Sequence, residues 1–467
     1  MVRRSFLLLP EKWDPFGRAA VAVRRAKPLG ARERKNTNML AHTHSTNPRD
    51  ARPGSAQPFR VAYLSTYPPR ECGIATFCED LITATLIGDH AGEPIVVAME
   101  SGDHGHDYPW PVALLVDDRW EDQYEIAADF INDSSVDLVS IQHEFGIFRG
   151  LECRGLFRFL QRLRSPVVTT LHTVLSEPEE RVRDHVQALA SHSQRLVVMN
   201  GLAIDILQRD YGIDKHKIAL IHHGSPPLSL ESKEQAKARL GLSDRKVIST
   251  FGLVARGKGL EYAIGALPEI LPRHPDACYI VIGQTHPGVR RAEKESYREE
   301  LLRLVEDLGL QDSVLFVNRY VSKAEIVRYL AATDIYITPY LNPKQITSGT
   351  LAYAVATGTA IISTPYLYAR FILGEDGGVL VDFRSENAIA RAANRILDHP
   401  EIQLALERRG RIYGQQMSWP AVGARYLKLF EGVVRETAMT ARPLRAQLQL
   451  TLTNPVERNV RHAIERS

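Results

Sequence analysis

The chain has 467 residues, of which 44% are hydrophobic and 24% charged, with a formal net charge of +3. That length implies two or three domains with cores large enough to need no disulfide or metal scaffold. No apolar run reaches the ~18 residues of a membrane-spanning helix, so collagen, coiled coil, small secreted domain and integral membrane protein are excluded.

Residues 1–57 hold nine Arg and three Lys against two Glu and two Asp, a net of +8, which leaves −5 for the rest. The basic excess is therefore a tail without helical or strand periodicity, expected to be disordered, and not a nucleic-acid-binding face. The Phe-Leu-Leu-Leu stretch near the start is shorter than the ~7–15 apolar residues of a secretory signal. Cys72, Cys78, Cys153 and Cys278 form no C-x-x-C pair and point to a reducing, cytoplasmic compartment.

From Phe59 onward, β-branched runs at 61–64, 94–99, 112–116, 136–141, 167–171, 196–199 and 218–221 read as strands. Helical-period segments such as 74–87, 124–131 and 202–210 separate them. A second series of strands follows at 247–251, 278–283, 314–317, 335–339, 360–364 and 379–383, with helices near 260–271, 296–308, 323–332, 348–356 and 386–397. Alternating strands and helices predict an α/β fold of two doubly wound Rossmann-like domains, 58–228 and 238–418, joined by a linker at 226–237. The aromatic spacing of 419–437 predicts a closing helix that returns to the first domain, and 443–467 reads as a poorly ordered tail. In the stretch 151–164, Arg154, Arg158 and Arg162 recur every four residues beside leucines, a basic amphipathic pattern suited to peripheral contact with anionic lipid or to a solvated surface.

Ligands of open α/β sheets sit beyond the carboxyl ends of the strands, and two such sheets facing each other leave one cleft. Polar residues cluster at those ends. The first strand runs into Pro69-Arg70-Glu71-Cys72-Gly73-Ile74-Ala75, a loop opening a helix whose free N–H groups suit a polar ligand. Gln142-His143-Glu144 ends the fourth strand, His172 the fifth and His222-His223-Gly224 the seventh, which suggests a polar cleft floor with a functional histidine. No H-x-x-x-H spacing supports a metal there, and Asp103-His104-Gly105-His106-Asp107 is metal-like only in composition.

The second half opens with Phe251-Gly252-Leu253-Val254-Ala255-Arg256-Gly257-Lys258-Gly259, a strand emptying into a glycine-rich loop with two cations. This suits a phosphate, although the Walker pattern is absent. Gln284 ends another strand, and Gln345-Ile346-Thr347-Ser348-Gly349-Thr350 leads into a helix whose start is a second anion site. Two anion sites on one sheet edge fit a diphosphate and point to a nucleotide-activated donor.

These residues resemble the retaining glycosyltransferases of family 4, which have the two-Rossmann GT-B fold. The resemblance spans roughly 59–437 and rests on the Pro-Arg-Glu-Cys-Gly-Ile-Ala loop, Leu171-His172-Thr173, Ile221-His222-His223-Gly224, the Lys258-Gly259 loop and Ala356-Thr357-Gly358-Thr359-Ala360. It implies a nucleotide-diphospho-sugar held by the second domain, a hydroxyl acceptor held by the first, and no catalytic metal or other cofactor. His172 matches the active-site histidine, and Lys258 matches the lysine that binds the donor diphosphate. Arg256 is expected to supply a cation that the family usually carries where Leu253 stands. Gln345 and Tyr353 stand where the family carries a glutamate pair, which marks a distinct subgroup. On this reading Gly252, Ser348, Gly349, Thr350 and Tyr353 contact the donor, and Gly73, Ile74, Gln142, His143, Glu144, His223 and Gln284 contact the remaining substrate. The expected activity is retaining hexosyl transfer. The open alternatives are a glycoside phosphorylase using inorganic phosphate, a silent sugar or nucleotide binder, and, less favoured, a sugar-nucleotide epimerase.

Overall fold

The computed structural model describes residues 59–87, 92–102, 106–227 and 231–453. The expectations placed on 1–57, on Asp103, His104 and Gly105, and on 454–467 lie outside these residues.

Seven strands form the first sheet: β1 (Val61–Ser65), β2 (Ile95–Glu100), β3 (Val112–Asp117), β4 (Leu138–His143), β5 (Val167–Leu171), β6 (Arg195–Val198) and β7 (Ile218–Leu220). Six form the second: β8 (Lys246–Phe251), β9 (Ala277–Ile282), β10 (Val314–Val317), β11 (Ile335–Thr338), β12 (Ala360–Ser363) and β13 (Val379–Leu380). The orders are β3-β2-β1-β4-β5-β6-β7 and β10-β9-β8-β11-β12-β13. Every strand pairing is parallel. Central strands such as β1 and β4 are buried along their whole length. Helices covering both faces of a parallel sheet demand such continuous apolar runs. Each order reverses once, between β1 and β4 and between β8 and β11. The carboxyl ends at these reversals are where an open sheet leaves a crevice.

The long helix Trp419–Thr453 crosses back to the first sheet. Its Trp419, Val422, Tyr426 and Phe430 pack with Phe77, Leu81 and Ile82 of the helix Gly73–Thr85. Trp419 N–H donates to Ser225 O (3.1 Å), and Ser225 N–H donates to Met417 O (2.7 Å). The returning segment is thereby stitched to the strand that leaves the first half.

Several stretches differ from expectation. The closing helix expected at 419–437 runs on to Thr453, into the stretch 443–467 that reads as a tail. The linker contains the helix Lys233–Arg239, started by a capping box of Ser232 and Gln235. The single helix expected at 260–271 is instead Leu260–Gly265 and Leu267–Ile270, with Pro268 at the start of the second.

The basic helix Arg154–Arg162 packs on the helix Glu121–Asp133. Arg158 donates to Glu125 (2.9 Å) and Arg162 to Asp129 (2.6 Å). Those two cations are matched by the chain's own carboxylates, and Arg154 is exposed at the start of the helix. No helix among the described residues is long and apolar enough to cross a membrane.

Candidate active site

A cleft of about 1010 Å³ lies between the two sheets, lined by residues from both. The strand ends decide what faces it. His172 follows β5, and its backbone N–H donates to His143 O (3.0 Å). Phe77 holds three rings edge-on, with centroids at 4.9 Å to His172, 5.1 Å to His223 and 5.2 Å to Trp419. Two imidazoles thus flank one buried phenyl at the cleft wall. Burial depresses His172 to about 3, with nearby His223 adding to the effect. Burial likewise takes His223 down to about 4. Both rings are neutral at physiological pH. His223 Nδ1 lies 2.7 Å from Gly224 O. A carbonyl only accepts, so Nδ1 carries the proton and Nε2 keeps its lone pair.

Neighbouring residues of β4 part company, as alternation along a strand requires. Gln142 Oε1 lies 3.0 Å from His172 Nε2. His143 turns the other way, away from the cleft lining, and its Nε2 sits 3.0 Å from His185 Nε2. Its ring stacks on Phe148, and Phe145 stands edge-on to it. Burial depresses His143 to about 3 and His185 to about 4. Glu144 lines the cleft and accepts from the Thr173 hydroxyl. Burial raises its carboxyl, and that hydroxyl and the N–H groups of Gly146 and Phe145 pull it back. Gly73 and Ile74 also line the cleft.

On the opposite wall, the tight turn Arg256–Lys258 ends at Gly259, whose φ is +63°. A Cβ there would meet Pro339 O at 2.2 Å, so only glycine lets this loop lie on β11's exit. The Lys258 ammonium sits 3.9 Å above the Tyr340 ring and lines the cleft. No carboxylate of the described residues pairs with it. Tyr340 OH in turn bonds Thr350 Oγ1 (2.6 Å). Ser348 caps the helix Gly349–Thr357 by accepting from Leu351 N–H (3.3 Å), and its hydroxyl reaches Thr350 (3.2 Å). Gly349, Thr350, Tyr353, Gln345, Gly252 and Gln284 all line the cleft. Gln345 donates to Thr347 O (3.0 Å), and Gln284 donates across the cleft to Glu71.

Arg256 lies elsewhere. It donates to Glu300 (2.6 and 2.7 Å) and Glu293 (3.1 Å), stacks over Tyr297, and is not among the cleft-lining residues. Its guanidinium is held on the outer surface by two carboxylates from a later helix pair. Ser348 is likewise not part of the lining and acts on the cleft only through the helix start.

Sequence reasoning overlooked several cleft residues. Arg291, in the helix Pro287–Glu293, brings a further cation to the wall that carries Lys258. Lys323 reaches from the second half to Glu79 (2.6 Å) and Asp80 (2.5 Å) of the helix Gly73–Thr85. The signal for Lys323 was the capping box Ser322/Glu325, which places it in the first turn of a helix. Among the described residues no group of three or more His, Cys, Asp or Glu is arranged to hold a metal ion.

The family described as "Glycosyl transferases group 1" matches residues 232–413. The D-inositol 3-phosphate glycosyltransferase of Corynebacterium glutamicum (strain R) is 25% identical over 290 residues, 58% of this chain and 68% of its own. The lipopolysaccharide core biosynthesis mannosyltransferase LpcC of Rhizobium leguminosarum bv. viciae is 27% identical over 258 residues, 55% of this chain and 66% of its own. These matches span about two thirds of each relative. The crystal structure of Anabaena Alr3699/HepE in complex with UDP and glucose superposes with a TM-score of 0.64 at 14% identity, covering 80% of this chain and 100% of that one. WaaG, a glycosyltransferase involved in lipopolysaccharide biosynthesis, superposes at 0.57 with 15% identity over 80% of this chain and 100% of its own. At these identities the superpositions speak for the fold. Residues 232–413 of this chain are thus similar to the group 1 glycosyl transferases, within a two-sheet architecture of the GT-B type.

Proposed function

We propose that the protein is a retaining glycosyltransferase that moves a hexose from a nucleotide-diphospho-sugar to a hydroxyl acceptor. One observation carries the reading: Lys258 lines the cleft without a carboxylate partner among the described residues, beside the open start of the helix Gly349–Thr357 and opposite His172 and His223. An anion binds where a cation and free helix N–H groups meet in a crevice. The sugar's C1–O bond to phosphate breaks, and the acceptor oxygen forms the new bond to C1 on the same face. The acceptor proton passes to the departing phosphate oxygen. Lys258, the N–H groups of Gly349 and Thr350 and Arg291 balance the charge that develops on the diphosphate, without calling on a metal. The neutral imidazoles of His172 and His223 hold sugar hydroxyls at the first wall. Glu144 faces the acceptor. The relatives' names suggest phosphorylated cyclitols and lipid-linked glycans as acceptors to try first.

The test is a product screen. Purified full chain is incubated with UDP-, GDP- and ADP-hexoses and these acceptors, and products are read by mass spectrometry and anomeric NMR. Nucleoside diphosphate release coupled to an α-linked product from an α-linked donor supports the reading. Donors left intact, with phosphate-dependent cleavage of a glycoside instead, would replace it with the phosphorylase.

A further inference from the structure

We propose that Gln142 is a positioning residue: its side-chain carbonyl takes the Nε2–H of His172 and fixes the tautomer in which Nδ1 offers a lone pair to the cleft. The substrate part of this inference rests on the transferase reading, whereas the tautomer part does not.

Gln142 is fully buried on β4, beside β5 in register with Thr170, and its Oε1 is 3.0 Å from His172 Nε2. Its amide nitrogen is committed to Ser140 Oγ at 3.3 Å, which leaves the carbonyl for the imidazole. His172 Nδ1 has no hydrogen bond to any of the described residues and is not among their buried unpartnered atoms, and the residue lines the cleft. Nδ1 is thus the atom a ligand meets. Which tautomer it presents is set by the partner of the other nitrogen. A rotated amide would donate to Nε2 and place an N–H on Nδ1, reversing the hydrogen bond offered to substrate.

The neighbouring imidazole supports the same logic. His223 is locked as Nδ1–H by the Gly224 carbonyl and keeps its Nε2 lone pair beside Gly349. With Gln142 as assigned, the two rings flanking Phe77 both accept, so this corner takes a ligand that donates twice, such as adjacent sugar hydroxyls, and offers nothing to an anion. The titratable groups around His172 are His143 and His223, with Glu144 bonded to the adjoining Thr173 and Lys258 across the cleft; from the helix Gly73–Thr85, Phe77 stands edge-on to the ring and Glu79 lines the same cleft.

The experiment is a long-range 15N–1H correlation spectrum of the histidine rings in the full chain at neutral pH, with His172 identified by its loss in His172→Asn. The expected spectrum shows His172 protonated on Nε2; protonation on Nδ1 overturns the proposal. Gln142→Met and Gln142→Glu extend the test. The first should mix the tautomers and lower kcat by about tenfold or more at nearly wild-type donor KM. The second places a carboxylate on Nε2–H and should make kcat/KM fall as pH drops through about 8 to 6, where the wild type stays flat. An unchanged tautomer in Gln142→Met with parallel pH profiles in all three proteins contradicts it. Should either variant fail to fold, the wild-type spectrum decides alone. Should no donor be turned over, the transferase reading falls while the spectrum still tests Gln142.

Discussion

Gly349→Ala probes the distance between the two walls. Gly349 is the first residue of the helix Gly349–Thr357 and does not have a left-handed φ, so alanine is allowed there by the backbone. Alanine favours a helix over glycine by up to about 1 kcal/mol. That gain is set against the crowding of the His223 ring, so thermal stability should hold or fall slightly. The added Cβ would lie 2.9 Å from His223 Nε2 and 3.2 Å from its Cε1. Ordinary van der Waals contact begins about half an ångström further out. His223 cannot turn aside cheaply, because Nδ1 is tied to Gly224 O at 2.7 Å and Phe77 stands against the ring. The helix start and the imidazole must separate by that half ångström. A misplacement of 1 Å at a reacting centre costs about 10²-fold, so a loss of about tenfold in kcat/KM is expected. Initial rates of nucleoside diphosphate release, measured beside a melting curve, check this. Wild-type kcat/KM in a fully folded Gly349→Ala protein would refute the idea that this contact belongs to the site.

Three further outcomes follow from the same geometry. Phe77→Ala removes a phenyl that is 2% exposed and touches three rings; it should cost about 3–5 kcal/mol in denaturant unfolding, and a loss below 1 kcal/mol would contradict the packing. His143, His172, His185 and His223 are all held neutral by burial, well below the usual histidine range. The unfolded chain binds protons that the folded one refuses, so stability is full above about pH 6.5 and declines toward pH 4; a melting temperature constant over that window would rule this out. Burial raises the Asp80 carboxyl, and the Lys323 ammonium pulls it back. In Lys323→Ala that restraint is gone and the carboxyl rises further, so protonation relieves it. The melting deficit of this variant against wild type should be larger at pH 7.5 than at pH 5, and an equal deficit at both would argue against the cross-cleft pair.

The fold was legible because parallel strands buried on both faces must be continuous apolar runs, and runs such as 61–64 and 167–171 stand clear of their polar flanks. The helix Lys233–Arg239 was hidden by Pro226-Pro227 and the charged residues around it, although Ser232 and Gln235 spelled its capping box. Strand ends located His172, His223, Glu144 and the Lys258 loop, since those positions are local to one element. What the sequence concealed is non-local. Arg256 reads as a phosphate cation until Glu293 and Glu300, 37 and 44 positions later, come to meet it. Arg291 and Lys323 reach the cleft from helices that carry no motif for it. Gln142 and His143 were grouped as one polar strand end, but the two-residue alternation of a strand sends one to His172 and the other to His185.

The central claim is that Lys258, and not Arg256, meets the diphosphate of a nucleotide sugar in this cleft. Isothermal titration of UDP and GDP into wild type, Lys258→Ala and Arg256→Ala tests it directly. The account predicts binding weakened about 10- to 100-fold in Lys258→Ala, the worth of one charged hydrogen bond, with Arg256→Ala matching wild type. Equal affinities for wild type and Lys258→Ala, or a loss confined to Arg256→Ala, would contradict it.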